Sequence, residues 1–136
     1  AANSNIMEFV TIANTGNVTD FGDLTQARIF PTSFESSTRG IFAGGKTPTL
    51  SDTIDYITMA SAGDATDFGN LTDARDNGQG ASNSIRGISA GGRDPAHSNI
   101  IDFVTIASTG NASDFGDLLE AKRSFGSEAN GHGGLS

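Results

Sequence analysis

The chain has 136 residues, the length of one ordinary domain, and a formal charge of −8. It has no cysteine, which excludes a disulfide framework, a thiol nucleophile and a thiolate metal site. Its eight Lys and Arg are too few for a phosphate-binding surface, so nucleic acid is not an expected partner, and no apolar run is long enough for membrane insertion as a helix.

In chain order, the first strand-like piece is "EFVTIA" from Glu8, followed by "TDFGDL" from Thr19. A polar crossing, "IFPTSFESST" from Ile29, leads to "RGIFAGG" at 39–45 and the loop "KTPTLSD" at 46–52. The pieces then return: strand 53–60 with "DYITMA", "TDFGNL" from Thr66, the crossing "DNGQGASNSI" from Asp76, "RGISAGG" at 86–92 and the loop "RDPAHSN" at 93–99. They return once more as strand 100–107 with "DFVTIA", "SDFGDL" from Ser113 and the crossing "RSFGSEANGH" from Arg123. The step is 47 residues each time, with no insertion, so one supersecondary unit is being copied.

Each unit contains about four strand-sized pieces separated by turn residues, and eighteen glycines with no Trp favour a turn-rich all-β fold. In "IIDFVTIA", Ile100, Val104 and Ile106 point one way and Ile101, Phe103 and Ala107 the other. Both faces are largely apolar, so the sheet needs cover on both sides. Four-stranded antiparallel sheets stacked around an axis supply it, which predicts propeller blades. A β-solenoid, stacking units along an axis, is the alternative. The glycine pairs Gly44-Gly45 and Gly91-Gly92 are expected to end the second strand in a tight turn with positive φ. Phe21, Phe68 and Phe115 are expected to be buried between blades.

These features together resemble a kelch repeat. In that family a glycine pair ends the second strand, an aromatic sits in the third, a Trp in the fourth and an Arg near the blade boundary. Here Phe9, Tyr56 and Phe103 occupy the third strand, Phe21, Phe68 and Phe115 stand where Trp would be, and Arg28, Arg75 and Lys122 sit near the boundary. The stretch "TIDYITMASAGDATDFGNLTDAR" is also similar to kelch-like repeats in structural proteins of marine bacteriophages, including cyanophages. The resemblance spans 1–136 as about three repeats (1–47, 48–94, 95–136), with one blade split between the termini. Three blades are fewer than an ordinary ring needs. The expectation is an oligomer or a slice of a longer array.

Candidate chemistry is sparse. "DFG" occurs three times without a phosphate-binding or catalytic loop and is read as a turn followed by a core Phe. The acceptor-like triplets at Asn17, Asn70 and Asn111 are explained by the copying. Asp20, Asp23, Asp64, Asp67, Asp114 and Asp117 invite a hard cation, yet nothing has the ligand spacing of an EF-hand loop, so no metal or cofactor is expected. His97 and His132 lie in no metal-binding or triad spacing. The most divergent positions between units are the loop after the glycine pair and the crossing, which nominates Lys46, Asp76, Asn77, Arg93, Asp94 and His97 as ligand-contacting residues.

The expected function is a non-enzymatic structural or binding module. The resemblance implies a phage virion protein, tail, fibre or capsid-associated. Its partners would be other virion proteins, further repeats or a host-surface glycan. The alternative is a secreted or cell-surface bacterial glycan-binding propeller.

Overall fold

The computed structural model describes residues 2–129; His132 and the end of the last crossing lie outside them. The described residues form ten antiparallel strands in three sheets and contain no α-helix. Sheet one pairs β1 (Ser4–Phe9) with β2 (Thr19–Arg28). Sheet two is a meander of β3 (Thr32–Glu35), β4 (Arg39–Ala43), β5 (Thr53–Thr58) and β6 (Thr66–Asn70). Sheet three repeats it 47 residues later with β7 (Gln79–Ser82), β8 (Arg86–Ala90), β9 (Ile100–Thr105) and β10 (Ser113–Asp117). The register is preserved as well: Thr32 faces Ala43 in sheet two, and Gln79 faces Ala90 in sheet three. Every strand pairing lies within a sheet and is antiparallel, which sets aside the parallel β-solenoid.

The main apolar core lies between sheets two and three. Phe34, Ile41, Ile54, Phe68 and Leu71 from sheet two and its exit meet Val104 and Ile106 from sheet three. Phe34 lies so close over the backbone of Gly87 that a Cβ there would overlap its ring. This is why the second residue of "RGIS" is glycine.

Facing sheets are also joined by polar contacts that recur at the 47-residue step. On the outside, Gly63 N donates to Phe21 O (2.6 Å) and Ala65 N to Asp23 O (2.8 Å). Gly110 N to Phe68 O (2.7 Å) and Ala112 N to Asn70 O (2.8 Å) repeat this clamp between sheets two and three. In the middle, Arg28 at the end of β2 pairs with Asp55 of β5 at 3.0 Å, both side chains fully buried. Arg75 pairs with Asp102 of β9 at 3.1 Å in the same surroundings. Each carboxylate also accepts from a threonine of the preceding unit: Thr25 Oγ1 to Asp55 and Thr72 Oγ1 to Asp102, both 2.6 Å. Each arginine donates to a carbonyl of the following sheet, Arg28 to Phe42 O (3.2 Å) and Arg75 to Ser89 O (3.0 Å). Burial lowers the Arg28 pKa from its usual value, and the charge and hydrogen bond of Asp55 offset part of that.

Two expectations need correction. "DFG" is not a turn: it lies inside β2, β6 and β10. Asp67 pairs with Asp55 and Gly69 with Ile54, so Phe68 is the extra residue of a β-bulge. The bulge aims its ring into the core. Burial of the three equivalent phenylalanines is also not uniform. Phe68 is 3% exposed, Phe21 is half-buried and Phe115 is 56% exposed. Phe115 lies on the face of sheet three that meets no further sheet among the described residues.

The glycine pair behaves as expected. Gly44 and Gly45 have φ of 67° and 109°, and Gly91 and Gly92 have 63° and 107°. A Cβ on Gly91 would stand 2.6 Å from Lys122 O. The close approach has a purpose: Gly92 N donates to that carbonyl (2.8 Å), and Gly45 N donates to Arg75 O (2.9 Å), tying each sheet to the chain that leaves it.

Phe68→Ala is expected to cost about 3–5 kcal/mol in denaturant unfolding, whereas Phe115→Ala, at the same repeat position, costs under about 1 kcal/mol. Asp102→Ala strands a buried guanidinium and is expected to cost about 3–5 kcal/mol. The double change Arg75→Met with Asp102→Leu should recover most of that loss in the same measurement.

Candidate functional site

The candidate residues lie where each crossing meets the loop after a glycine pair. The loops share one backbone frame. Lys46 bridges Ile29 on one side and Leu50 on the other; Arg93 bridges Asp76 and His97 in the same way. Ser51 N returns to Gly45 O and Ser98 N to Gly92 O, both at 2.9 Å. The side chains carried on this frame differ, with Lys46 in one loop and Arg93, Asp94 and His97 in the other. The Asp94–Pro95 peptide is cis.

Two of the nominated residues are engaged with each other. Arg93 Nη2 donates to Asp76 Oδ2 (2.6 Å) and its Nε to Asp76 Oδ1 (3.1 Å), a two-pronged pair. The Asp76 side chain is fully buried, and that of Arg93 is 29% exposed. The hydrogen bonds to Asp76, and then its charge, hold the Arg93 pKa above its ordinary value. This pair fastens the loop to the crossing. His97 is exposed at the loop tip, while Lys46, Asn77 and Asp94 are half-buried and reach solvent in part.

Sequence reasoning missed Phe30. It is 50% exposed and has φ of 56°, in the left-handed region that a bulky side chain rarely adopts. Asn77 (57°) and Ser124 (56°) occupy the same position in the next two crossings. Asn77 N donates to Phe30 O and Ser124 N to Asn77 O, both at 3.1 Å. The left-handed turn thus strings the crossings into a row, and each presents a different side chain. The signal was available as a position reading Phe, Asn and Ser in successive units.

The arrangement sets partly exposed polar side chains beside the exposed ring of Phe30. Among the described residues, no group of three or more His, Asp or Glu side chains could hold a metal ion. Two of the acidic residues have local structural duties instead. Asp64 Oδ1 accepts from Asp23 N (3.0 Å), and Asp114 Oδ1 accepts from Gly116 N (3.2 Å). Asn111 Oδ1 accepts from Asn70 N (3.0 Å) at the position equivalent to Asp64.

Arg93→Ala is expected to lower the melting temperature more than Lys46→Ala, although both stand at one repeat position. Only the first leaves a buried carboxylate without its partner. Equal shifts in a calorimetric comparison would show that the Asp76 pair does not hold the loop.

No protein-family model matches the chain, and no curated protein matches it significantly, so the geometry alone carries the reading of this surface.

Proposed function

We propose that the chain is a segment of a kelch-like β-propeller and acts as a non-enzymatic binding or structural module of a phage virion. In this reading the stacked sheets are blades of a rigid scaffold, and the loops at 46–52 and 93–99 with Phe30 and Asn77 form its contact surface. The observation that carries the reading is the contrast between frame and surface. The inter-sheet contacts recur residue for residue, while the loops keep one hydrogen-bonded frame and change the side chains they present. A repeated scaffold diversifies its chemistry in this way without disturbing its core. The charge of −8 directs the choice of partner away from anionic polymers and surfaces. A neutral host-surface glycan or a neighbouring virion protein fits, with Phe30 as the apolar platform.

Exchanging the loops 46–52 and 93–99, with all strands untouched, is expected to change binding to host cells or to the neighbouring virion subunit. The melting temperature should move by only a few degrees, as for surface changes outside the core. Unchanged binding in both swaps would assign the blades a purely architectural role.

A further inference from the structure

The two loops after the glycine pairs differ in what becomes of their cation. In each, the first loop residue is bridged to a crossing residue on one side and to a later loop residue on the other. The rows are Ile29, Lys46, Leu50 after sheet two and Asp76, Arg93, His97 after sheet three. Directly opposed residues of an antiparallel pair carry their side chains on one face. The second row shows this, because Arg93 and Asp76 meet in an ion pair at 2.6 Å. In the first row Ile29 replaces the carboxylate and Leu50 the imidazole. Lys46 is therefore a half-buried ammonium between two aliphatic side chains. Among the described residues Lys46 joins no ion pair, although its own loop contains Asp52. Other cations are committed: Arg28, Arg75 and Arg93 each hold a buried carboxylate, and Arg39 and Arg86 lie over the rings of Tyr56 and Phe103.

The crossing beside Lys46 departs from its counterpart at the same place. Next to the neutralised Arg93, the left-handed position is held by Asn77, a residue type that tolerates it. Next to the free Lys46 it is held by Phe30, a bulky ring that stands there against its backbone preference and is 50% exposed. The unit without an internal carboxylate for its loop cation is thus the unit that displays an aromatic ring one residue from the bridge to that cation.

We propose that Lys46 and Phe30 form a subsite for a pyranose ring carrying one carboxylate, of the uronic or sialic acid type. The apolar face of the sugar lies on the Phe30 ring, and its carboxylate accepts from the Lys46 ammonium. Ile29 and Leu50 thin the water around that ammonium, which strengthens a charge-assisted hydrogen bond. The equivalent Arg93 is neutralised by Asp76, so the loop at 93–99 lacks this selectivity. The inference rests on the reading of this surface as a glycan contact and narrows it. A chain charge of −8 disfavours a polyanion, but salt screens that field beyond about 8 Å at physiological ionic strength. A glycan that is neutral along its length can therefore present a single acidic ring to Lys46.

The test titrates the full chain, followed by amide shifts, with methyl glucuronide, methyl sialoside, methyl glucoside and acetate. Saturable binding of at least one acidic sugar is expected, with shifts concentrated at 29–31 and 45–50; the tighter acid names the source. The glucoside, which has a hydroxymethyl group where the glucuronide has its carboxylate, should bind about fivefold more weakly than the preferred acid. Lys46→Met should remove the advantage of the acid over the glucoside, and Lys46→Arg should keep it. Phe30→Asn, which installs the residue of the next crossing, should weaken acidic and neutral sugars alike. Each variant is checked for an unchanged circular dichroism spectrum. Absence of saturable binding by both acids overturns the proposal. So does a glucoside that binds as tightly, or an acid preference that survives Lys46→Met. An equal response to acetate would mean recognition of any carboxylate, as on an acidic protein segment, and overturns it too. The loop-swap experiment reads contact with host or neighbouring subunit as a whole, so a failed sugar titration leaves that reading standing.

Discussion

The structure depends on a carboxylate buried between two sheets. Asp55 and Asp102 sit in the middle of strands whose neighbours are Ile, Tyr, Phe and Val, where an unpaired charge would be prohibitive. Each is made tolerable by groups from the preceding unit: an arginine, a threonine hydroxyl and a threonine backbone N–H. The partners lie 27 to 30 residues away in sequence and meet only when two sheets stack in one relative position. An apolar core alone tolerates sliding, since Leu against Ile is acceptable in many registers. A fully buried ion pair with directional acceptors is not, so the pair fixes how one sheet lies on the next. The outer backbone clamp and the row of crossings then fall into place on either side of it.

Much of the frame was legible because copying removes ambiguity. A single stretch such as "TIDYIT" could be read in more than one way. Three aligned versions with turn residues at fixed offsets leave the strand reading, and the glycine pair and Phe68 followed from it. The carboxylates were harder. They were visible as Glu8, Asp55 and Asp102, always at the same offset from Arg28, Arg75 and Lys122, yet an acid in a strand suggests an exposed face. Its burial is a property of two sheets together, and single-strand patterning carries no information about the second sheet. Phe115 illustrates the converse. Its sequence context matches that of Phe68, but its exposure is decided by a neighbour that the described residues do not supply.

The candidate surface was legible as a region and less so as a set of side chains. Divergence between units points to the loops and crossings, but it cannot distinguish a residue that varies because it meets a partner from one that varies because it meets another variable residue. Asp76 and Arg93 are the second kind: they replace Ile29 and Lys46 together and hold each other. Phe30 is half exposed, and its backbone conformation was invisible without coordinates because its left-handed turn carries no glycine to announce it.

The contacts between sheets have a direction. The earlier unit always contributes the guanidinium and the later unit the carboxylate, and in the row of crossings the later N–H always donates to the earlier carbonyl. A joint of this kind has two different halves. Like a plug and its socket, it cannot be closed by turning one copy about a two-fold axis onto the same face of another. Any assembly that extends this stacking is therefore polar, its two ends carrying the two different halves of the joint. The rotation per joint alone determines whether such an assembly ends as a ring or grows as a filament.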